Sequence, residues 1–223
     1  MKKIIYNITS FTTTDYIDHL SCVVWFNSCN MRCQYCYNPD IVNSMTGLYT
    51  VEDLFLFLNK RVGLLDAVVL SGGEATIHDL IDICKQIKTL GYKIKLDTNG
   101  SNPKQLEKLL KENLLDFVAL DFKAPKEKFK TITKSNLYDK FIESLQLLVE
   151  SKIKYEVRTT LHNDLLNEDD INKMQTILIE NNYKENYYIQ NFLEVENISN
   201  LKASNNIFNI AKLDNKLNIV WRN

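Results

Sequence analysis

The segment "CNMRCQYC", residues 29–36, brings three cysteines together within eight positions, at Cys29, Cys33 and Cys36. It follows the apolar run "CVVWF" at 22–26, which predicts a buried strand. A structural zinc site takes four ligands, so zinc would need a fourth residue from elsewhere in the chain. A 4Fe–4S cluster held by three thiolates would instead leave one iron open to another molecule. The segment therefore predicts a metal centre at the end of a strand.

Few other residues are suited to be a fourth ligand. Cys84 falls on the apolar face of an amphipathic stretch and Cys22 lies inside the first strand, so both are predicted to be core residues. His19 and His78 stand singly near turns, where solvated or capping roles are expected. We therefore favour an open cluster over structural zinc. The five cysteines, an odd number, argue against a disulfide framework and indicate a reducing, cytoplasmic location.

Short apolar runs alternate with amphipathic stretches along the whole chain. Six strands are predicted, at 22–26, 66–70, 92–97, 116–123, 154–160 and 186–192, with a short seventh at 217–221. Helices are predicted to begin after Thr50, Asn102 and Asn167, and one is predicted at about 136–151. Repeated strand–helix units imply a parallel sheet, either doubly wound or closed into a partial barrel. Both arrangements place ligands at the carboxyl ends of the strands.

Polar side chains recur where the predicted strands end. "SGGEA" at 71–75 follows the second strand and "DTNGS" at 97–101 the third. Asp121 and Lys123 end the fourth strand, and Arg158 lies near the end of the fifth. Because parallel strands end at the same edge, these residues and the cysteines are expected to converge on one site.

The cysteine segment resembles the Cys-x3-Cys-x2-Cys signature of the radical S-adenosylmethionine (SAM) superfamily, and "SGGE" at 71–74 resembles its Gly-Gly-Glu segment. The resemblance implies an α/β fold, a partial (β/α)6 TIM-like barrel of parallel strands in a single domain over 1–223. Its core would span about 10–192, with 193–223 as a tail packed on the barrel. The resemblance also implies a 4Fe–4S cluster on Cys29, Cys33 and Cys36, with SAM bound to the open iron.

The resemblance assigns roles to four residues around SAM. Gly72 and Gly73 would let the backbone approach the methionine end of SAM, because neither carries a Cβ. Glu74 would accept a hydrogen bond from the methionine ammonium group. Tyr35, which precedes the last cysteine, would lie beside the adenine.

Five further residues are implied at the other strand ends. Asp97, Thr98 and Asp121 would contact the ribose region of SAM or a nearby monovalent cation. Lys123 would contact the methionine carboxylate, and Arg158 could reach it as well.

The segments "SFTTTDYIDHLSCVVWF" (10–26), "LDTNG" (96–100) and "DFKAP" (121–125) narrow the resemblance. They are similar to the activating proteins of anaerobic ribonucleoside-triphosphate reductase, which place a glycyl radical on that enzyme. The sequence departs from that family at three places: Ile17-Asp18 stands where the family usually has Pro-Gly, Ser28 where it has glycine, and Ala75 where it has proline. No second cysteine set is present, so flavodoxin or ferredoxin is expected to supply electrons.

Three other functions stay open at the level of the sequence. One is activation of pyruvate formate-lyase, and another is a small-molecule reaction such as that of 7-carboxy-7-deazaguanine synthase. The third is a zinc-stabilised binding module without catalysis. The net charge of -1 gives no general attraction to nucleic acid or membrane, and neither is expected as a partner.

Overall fold

Eight strands form one sheet in the computed structural model, which describes residues 2–222. They are β1 (Ile5–Thr12), β2 (Ser21–Phe26), β3 (Ala67–Gly72), β4 (Lys93–Thr98), β5 (Phe117–Asp121), β6 (Lys154–Leu161), β7 (Tyr187–Asn191) and β8 (Ile219–Arg222). Strand β1 is antiparallel to β2, and all later neighbours are parallel. Met1 and Asn223, the ends of the predicted single domain, lie outside the described residues.

The sheet has the strand order of a barrel. Its strands are neighbours in the same order as in the chain, from β1 to β8. A doubly wound sheet would reverse its order at a switch point, and this sheet does not. Within residues 2–222, β1 and β8 do not pair with each other, so the barrel stays open. The predicted α/β fold, a partial barrel of parallel strands, is confirmed.

Helices connect the strands and pack against one side of the sheet. They are α1 (Pro39–Asn43), α2 (Val51–Asn59), α3 (Ile81–Thr89), α4 (Pro103–Lys111), α5 (Lys126–Thr133), α6 (Tyr138–Glu150) and α7 (Glu168–Glu180). The predicted starts of α2, α4 and α7 are confirmed by their caps. Thr50 and Asn167 each form a capping box, and Asn102 accepts from the Gln105 amide. None of the helices within residues 2–222 is long and apolar enough to cross a bilayer.

Alternation along the strands separates the core from the barrel interior. One side of each strand packs on the helices, and Cys22 and Cys84 are fully buried there, as predicted. The opposite side faces the barrel interior, where β4, β5 and β6 carry Lys95, Asp97, Asp121 and Arg158. His19 is engaged within its own turn, where Nδ1 donates to the Ile17 carbonyl at 2.8 Å. His78 differs from the expected solvated or capping role, because its part-buried Nε2 donates to the distant Asn27 carbonyl at 2.9 Å.

The seven predicted strands differ from β2–β8 by at most two residues at either end. The segment between β7 and β8 returns along the same edge of the barrel as the cysteines. The Ile198 amide donates to the Cys36 carbonyl at 3.0 Å, and the Leu193 amide donates to the Tyr37 hydroxyl at 2.8 Å. This segment therefore packs on the cysteine loop.

Candidate active site

A cavity of about 380 Å³ opens at the carboxyl ends of the strands. All twelve residues singled out from the sequence line it. They are Cys29, Cys33, Tyr35, Cys36, Gly72, Gly73, Glu74, Asp97, Thr98, Asp121, Lys123 and Arg158. The structure thus brings together residues from β3, β4, β5, β6 and the loop after β2, as expected for a parallel sheet.

The cysteine loop is fixed by backbone hydrogen bonds to three other parts of the fold. The Ser28 amide donates to the Ile41 carbonyl at 2.9 Å, and the Ser28 carbonyl accepts from the Glu74 amide at 3.0 Å. Farther along, the Arg32 amide donates to the Thr133 carbonyl at 2.8 Å. The positions of the thiols therefore depend on α1, on the end of β3 and on the end of α5.

Cys33 is buried, and Cys29 and Cys36 are partly buried. Burial raises the pKa of Cys29 to about 12, with a further rise from the nearby Glu74 carboxylate, and burial raises that of Cys33 to about 11. Such thiols give up their protons when a metal stabilises the thiolate. Within residues 2–222, no group of three or more His, Cys, Asp or Glu side chains is arranged so that it could hold a metal ion.

The donor set nevertheless suits an iron–sulfur cluster. Cys29 Sγ accepts from the Met31 amide at 3.4 Å and from Asn99 Nδ2 at 3.8 Å. Hydrogen bonds from N–H groups to ligand sulfur are a means of tuning such clusters. Three thiols on one short loop, with donors already directed at one of them, fit a cluster held by three cysteines.

Glycines 72 and 73 are required by the protein itself. A Cβ at Gly73 would lie 1.8 Å from the Ser28 carbonyl oxygen, and one at Gly72 would lie 2.3 Å from the Phe26 nitrogen. Gly72 also has a φ of +117°, which L side chains rarely adopt. The glycines therefore let the end of β3 lie directly against the end of β2 and the start of the cysteine loop. This packing role is independent of any contact with a ligand.

Glu74 connects the ends of β3 and β4. Its side chain is buried, which raises its pKa. Oε1 accepts from the Thr76 amide and hydroxyl and from the Thr98 hydroxyl. Among residues 2–222, only the Asn99 amide donates to Oε2, at 2.7 Å. A carboxylate oxygen has two lone pairs, so Oε2 can take one more donor.

Asn99 was not singled out from the sequence, although it stands inside the quoted "DTNGS" segment. It bonds Glu74 through its amide and approaches Cys29 Sγ through its side chain. The sequence prediction named its neighbours Asp97 and Thr98 instead. The position of Asn99 after a predicted strand could have indicated a site residue, but only the structure shows that it contacts both Glu74 and Cys29.

Four of the predicted site residues form one ion-pair network in the barrel. Arg158 Nε lies 2.5 Å from Asp121 Oδ1, and Arg158 Nη2 lies 3.5 Å from Asp97 Oδ2. Lys123 Nζ lies 3.0 Å from Asp121 Oδ2. Burial alone would raise the pKa of Asp121, but Arg158 and Lys123 outweigh it and hold that pKa at about 2. Asp121 in turn raises the pKa of Lys123 against the effect of burial, so both groups stay charged.

An open parallel barrel with a three-cysteine loop at its carboxyl edge is the framework of an enzyme built around a cofactor. A family model, the radical SAM superfamily, matches residues 23–176. This match covers well over half of the chain, and the protein therefore belongs to the radical SAM superfamily. Membership confirms the resemblance found in the sequence and implies a 4Fe–4S cluster and SAM.

Two relatives are similar over most of their length. A Methanocaldococcus jannaschii protein, whose name proposes that it activates glycyl-radical enzymes, is 33% identical over 178 residues, or 77% of this chain and 73% of that one. The pyruvate formate-lyase-activating enzyme of Clostridium pasteurianum is 32% identical over 167 residues, which cover 70% of this chain and 68% of that enzyme.

A solved structure supports the fold. Streptococcus suis SuiB, determined with bound S-adenosylmethionine, matches 90% of this chain with a TM-score of 0.67 and 16% sequence identity. The chain spans about half of that protein, 52% of its length. At this identity the likeness concerns the fold.

Proposed function

We propose that this protein cleaves SAM reductively and generates a glycyl radical on an anaerobic ribonucleoside-triphosphate reductase. The observation that carries the proposal is the shared cavity, in which the three-cysteine loop, Glu74 and the ion-pair network face one another. The names of the two relatives both concern the activation of glycyl-radical enzymes, which supports the reaction class.

Each part of the cavity has a task in this proposal. Cys29, Cys33 and Cys36 would hold the cluster, and a reduced cluster would supply the electron that breaks the sulfur–carbon bond of SAM. Glu74 Oε2 would accept from the methionine ammonium group with its unused lone pair. Tyr35, whose hydroxyl donates to the Lys123 carbonyl at 3.3 Å, would form the wall beside the adenine.

Three further residues of the cavity have two kinds of task. Thr98 fixes Glu74 through its hydroxyl, which donates to Oε1 at 2.7 Å. Lys123 and Arg158 would bring positive charge towards the methionine carboxylate while they stay paired with Asp121.

The size of the cavity favours a macromolecular substrate. Its volume of about 380 Å³ lies near the lower end of the range of roughly 300–1,000 Å³ for small-molecule pockets. That volume suits one ligand of the size of SAM. The larger space of about 1420 Å³ that adjoins it opens at the amino ends of the strands and is not lined by the cysteine loop. The hydrogen donor would then approach from outside, as a loop of another protein can. This favours a glycyl-radical enzyme over a small-molecule substrate such as that of 7-carboxy-7-deazaguanine synthase.

The choice of reductase rests on the segments at 10–26, 96–100 and 121–125, which resemble the reductase-activating group. Pyruvate formate-lyase is the alternative partner.

The remaining cysteines, Cys22 and Cys84, are fully buried in the hydrophobic core. An external donor, flavodoxin or ferredoxin, would therefore deliver the electron.

Mixing the reconstituted protein with the reductase, SAM and a reductant under anaerobic conditions is expected to produce a glycyl-type doublet in the electron paramagnetic resonance spectrum. One 5′-deoxyadenosine should form per radical. A reductase whose target glycine is changed to alanine is the control and should give no doublet. A radical on pyruvate formate-lyase alone would favour the alternative partner. SAM cleavage without a radical on either protein would contradict glycyl-radical activation.

Glu74→Gln is expected to weaken SAM binding on the order of 10- to 100-fold, because a charged hydrogen bond contributes about 1.5–3 kcal/mol. The variant should also unfold at a lower temperature, because an amide cannot accept from all the donors around Glu74. Isothermal titration with SAM and thermal unfolding test the two effects. The exposed Glu52→Gln should change neither. Unchanged SAM affinity in Glu74→Gln would contradict the assignment.

A further inference from the structure

A second, larger cavity adjoins the cofactor cavity, and exposed residues such as Lys111 and Lys152 also line it. It measures about 1420 Å³ and lies at the amino ends of the strands. The two cavities share Asp15, Arg158 and Gln190 as lining residues, while Lys95 lines only the larger one and Asp97 only the smaller one. Contacts among Lys95, Asp97 and Arg158 therefore lie at the boundary between the two cavities.

Lys95 has a buried side chain, which is uncommon for lysine. It is 6% exposed, and its ammonium donates to the Asp15 carbonyl. Lys95 Nζ also lies 3.0 Å from Asp97 Oδ1. That oxygen is buried and, within residues 2–222, receives no hydrogen bond of good geometry. The contact is therefore a close approach of charges without a directed bond, as between a carboxylate and a spherical cation.

The side chains at this boundary carry more positive than negative charge. Lys95, Lys123 and Arg158 supply three positive charges, against two negative charges from Asp97 and Asp121. In the protein without SAM, a monovalent cation placed between Asp97 and Asp121 would raise the local sum from about +1 to +2 among side chains that are mostly buried. Uncompensated charge in such surroundings is costly.

Thr98 is also engaged with the protein. Its hydroxyl donates to Glu74 Oε1 at 2.7 Å and accepts from the Gly100 amide at 3.1 Å. Lys95 occupies the side of Asp97 Oδ1, and Lys123 and Arg158 pair with Asp121, so few oxygens are left to coordinate a cation. The residues of this chain therefore do not fit the monovalent cation that the sequence resemblance suggested near Asp97 and Asp121.

We propose that the Lys95 ammonium takes the place of a monovalent cation at Asp97, so that this protein needs no potassium or sodium ion there. Lys95 is then a positioning residue. It neutralises one oxygen of Asp97, whose other oxygen accepts from the Ser71 hydroxyl at 3.2 Å. The next residues on β4, Thr98 and Asn99, bond Glu74. The consequence for SAM rests on the proposed function, whereas the charge replacement itself does not.

The first test uses the unmodified protein without its cluster. Thermal unfolding is measured in tetramethylammonium, sodium and potassium salts at equal ionic strength. The melting temperature should be the same in all three, because Lys95 already neutralises Asp97. A saturable stabilisation by potassium or sodium would overturn the proposal, and this result does not depend on any variant folding.

The second test uses Lys95→Ala, which should become sensitive to cations. In tetramethylammonium its melting temperature should fall by on the order of 10 °C, since a buried carboxylate loses its partner. Ammonium or potassium ions, which can enter the space left by the lysine head, should restore part of the loss. Lys95→Arg keeps the charge and should stay insensitive. A Lys95→Ala protein that is indifferent to all these cations would contradict the replacement.

Lys93→Ala is the matched control, because Lys93 lies on the same strand and lines the same large cavity but has no contact with Asp97. It should show no cation response. In the reconstituted enzyme, SAM cleavage should be cation-independent for the unmodified protein and should rise with ammonium for Lys95→Ala. Absence of SAM cleavage in every salt would count against the proposed function, while the unfolding experiments would still decide the role of Lys95.

Discussion

Replacing Cys33 by alanine is expected to abolish SAM cleavage by the reconstituted protein. Cys33 lies in the middle of the three-cysteine loop and lines the candidate cavity. With two thiolates left, a cubane would have two irons without protein ligands, and the variant should bind well below the expected content of about four irons per chain. Iron analysis and 5′-deoxyadenosine production measure the two effects.

Cys22→Ala and Cys84→Ala are the matched controls. Both thiols are fully buried in the hydrophobic core, away from the cavity. Each change should cost about 1 kcal/mol in the free energy of unfolding and leave iron content and SAM cleavage near those of the unmodified protein. Cleavage retained in Cys33→Ala, or lost in Cys22→Ala, would contradict the assignment of the cluster to the loop.

The convergence of the site could be predicted from the sequence because parallel strands leave little freedom. Once the strands ending near Gly72, Asp97 and Asp121 were recognised, their following residues had to share one edge with the cysteine loop. Strong apolar runs made those strands readable. The periodicity of apolar residues could not distinguish a doubly wound sheet from a barrel. It followed from the family resemblance, and the strand order confirms it.

Strand β1 was missed because it has little of the pattern on which strand prediction depends. Only Ile5 is fully buried in Ile5–Thr12, and the other residues are partly or fully exposed. The strand is held by antiparallel pairing with β2, which is a long-range contact. Helix α5 was also missed, because its charged sequence carries only a narrow apolar face.

The contacts between side chains of the ion-pair network could not be predicted from the sequence, because they depend on side-chain conformation. Lys95 reads as one more charged residue in a strand, and nothing local indicates that its ammonium meets Asp97. The departures from the family were easier to interpret once the backbone was known. Asp18 and Ser28, which stand where glycine was expected, have φ values of 63° and 64°. The left-handed conformation is therefore adopted there even without glycine, at a cost of roughly 1–2 kcal/mol per residue.

Gly73→Ala is expected to have the second largest effect, because it links the fold directly to the cysteine loop. The added Cβ would lie 1.8 Å from the Ser28 carbonyl oxygen and 3.2 Å from the Cys29 nitrogen. The carbonyl would have to move, and its hydrogen bond from the Glu74 amide would be lost. Overpacking of this kind costs about 1–3 kcal/mol. A displacement of about 1 Å at a reacting centre can lower the rate on the order of 100-fold.

Gly91→Ala separates this effect from ordinary backbone strain. Gly91 has a φ of +88°, but a Cβ there would meet no heavy atom within 4 Å. Its replacement should therefore cost stability through the left-handed backbone alone, by roughly 1–2 kcal/mol. Both variants should unfold at lower temperature, yet only Gly73→Ala should lose SAM cleavage per bound iron, because only Gly73 contacts the segment that positions Cys29. Equal cleavage in the two variants would show that the close approach of β3 to the cysteine loop does not set the geometry of the site.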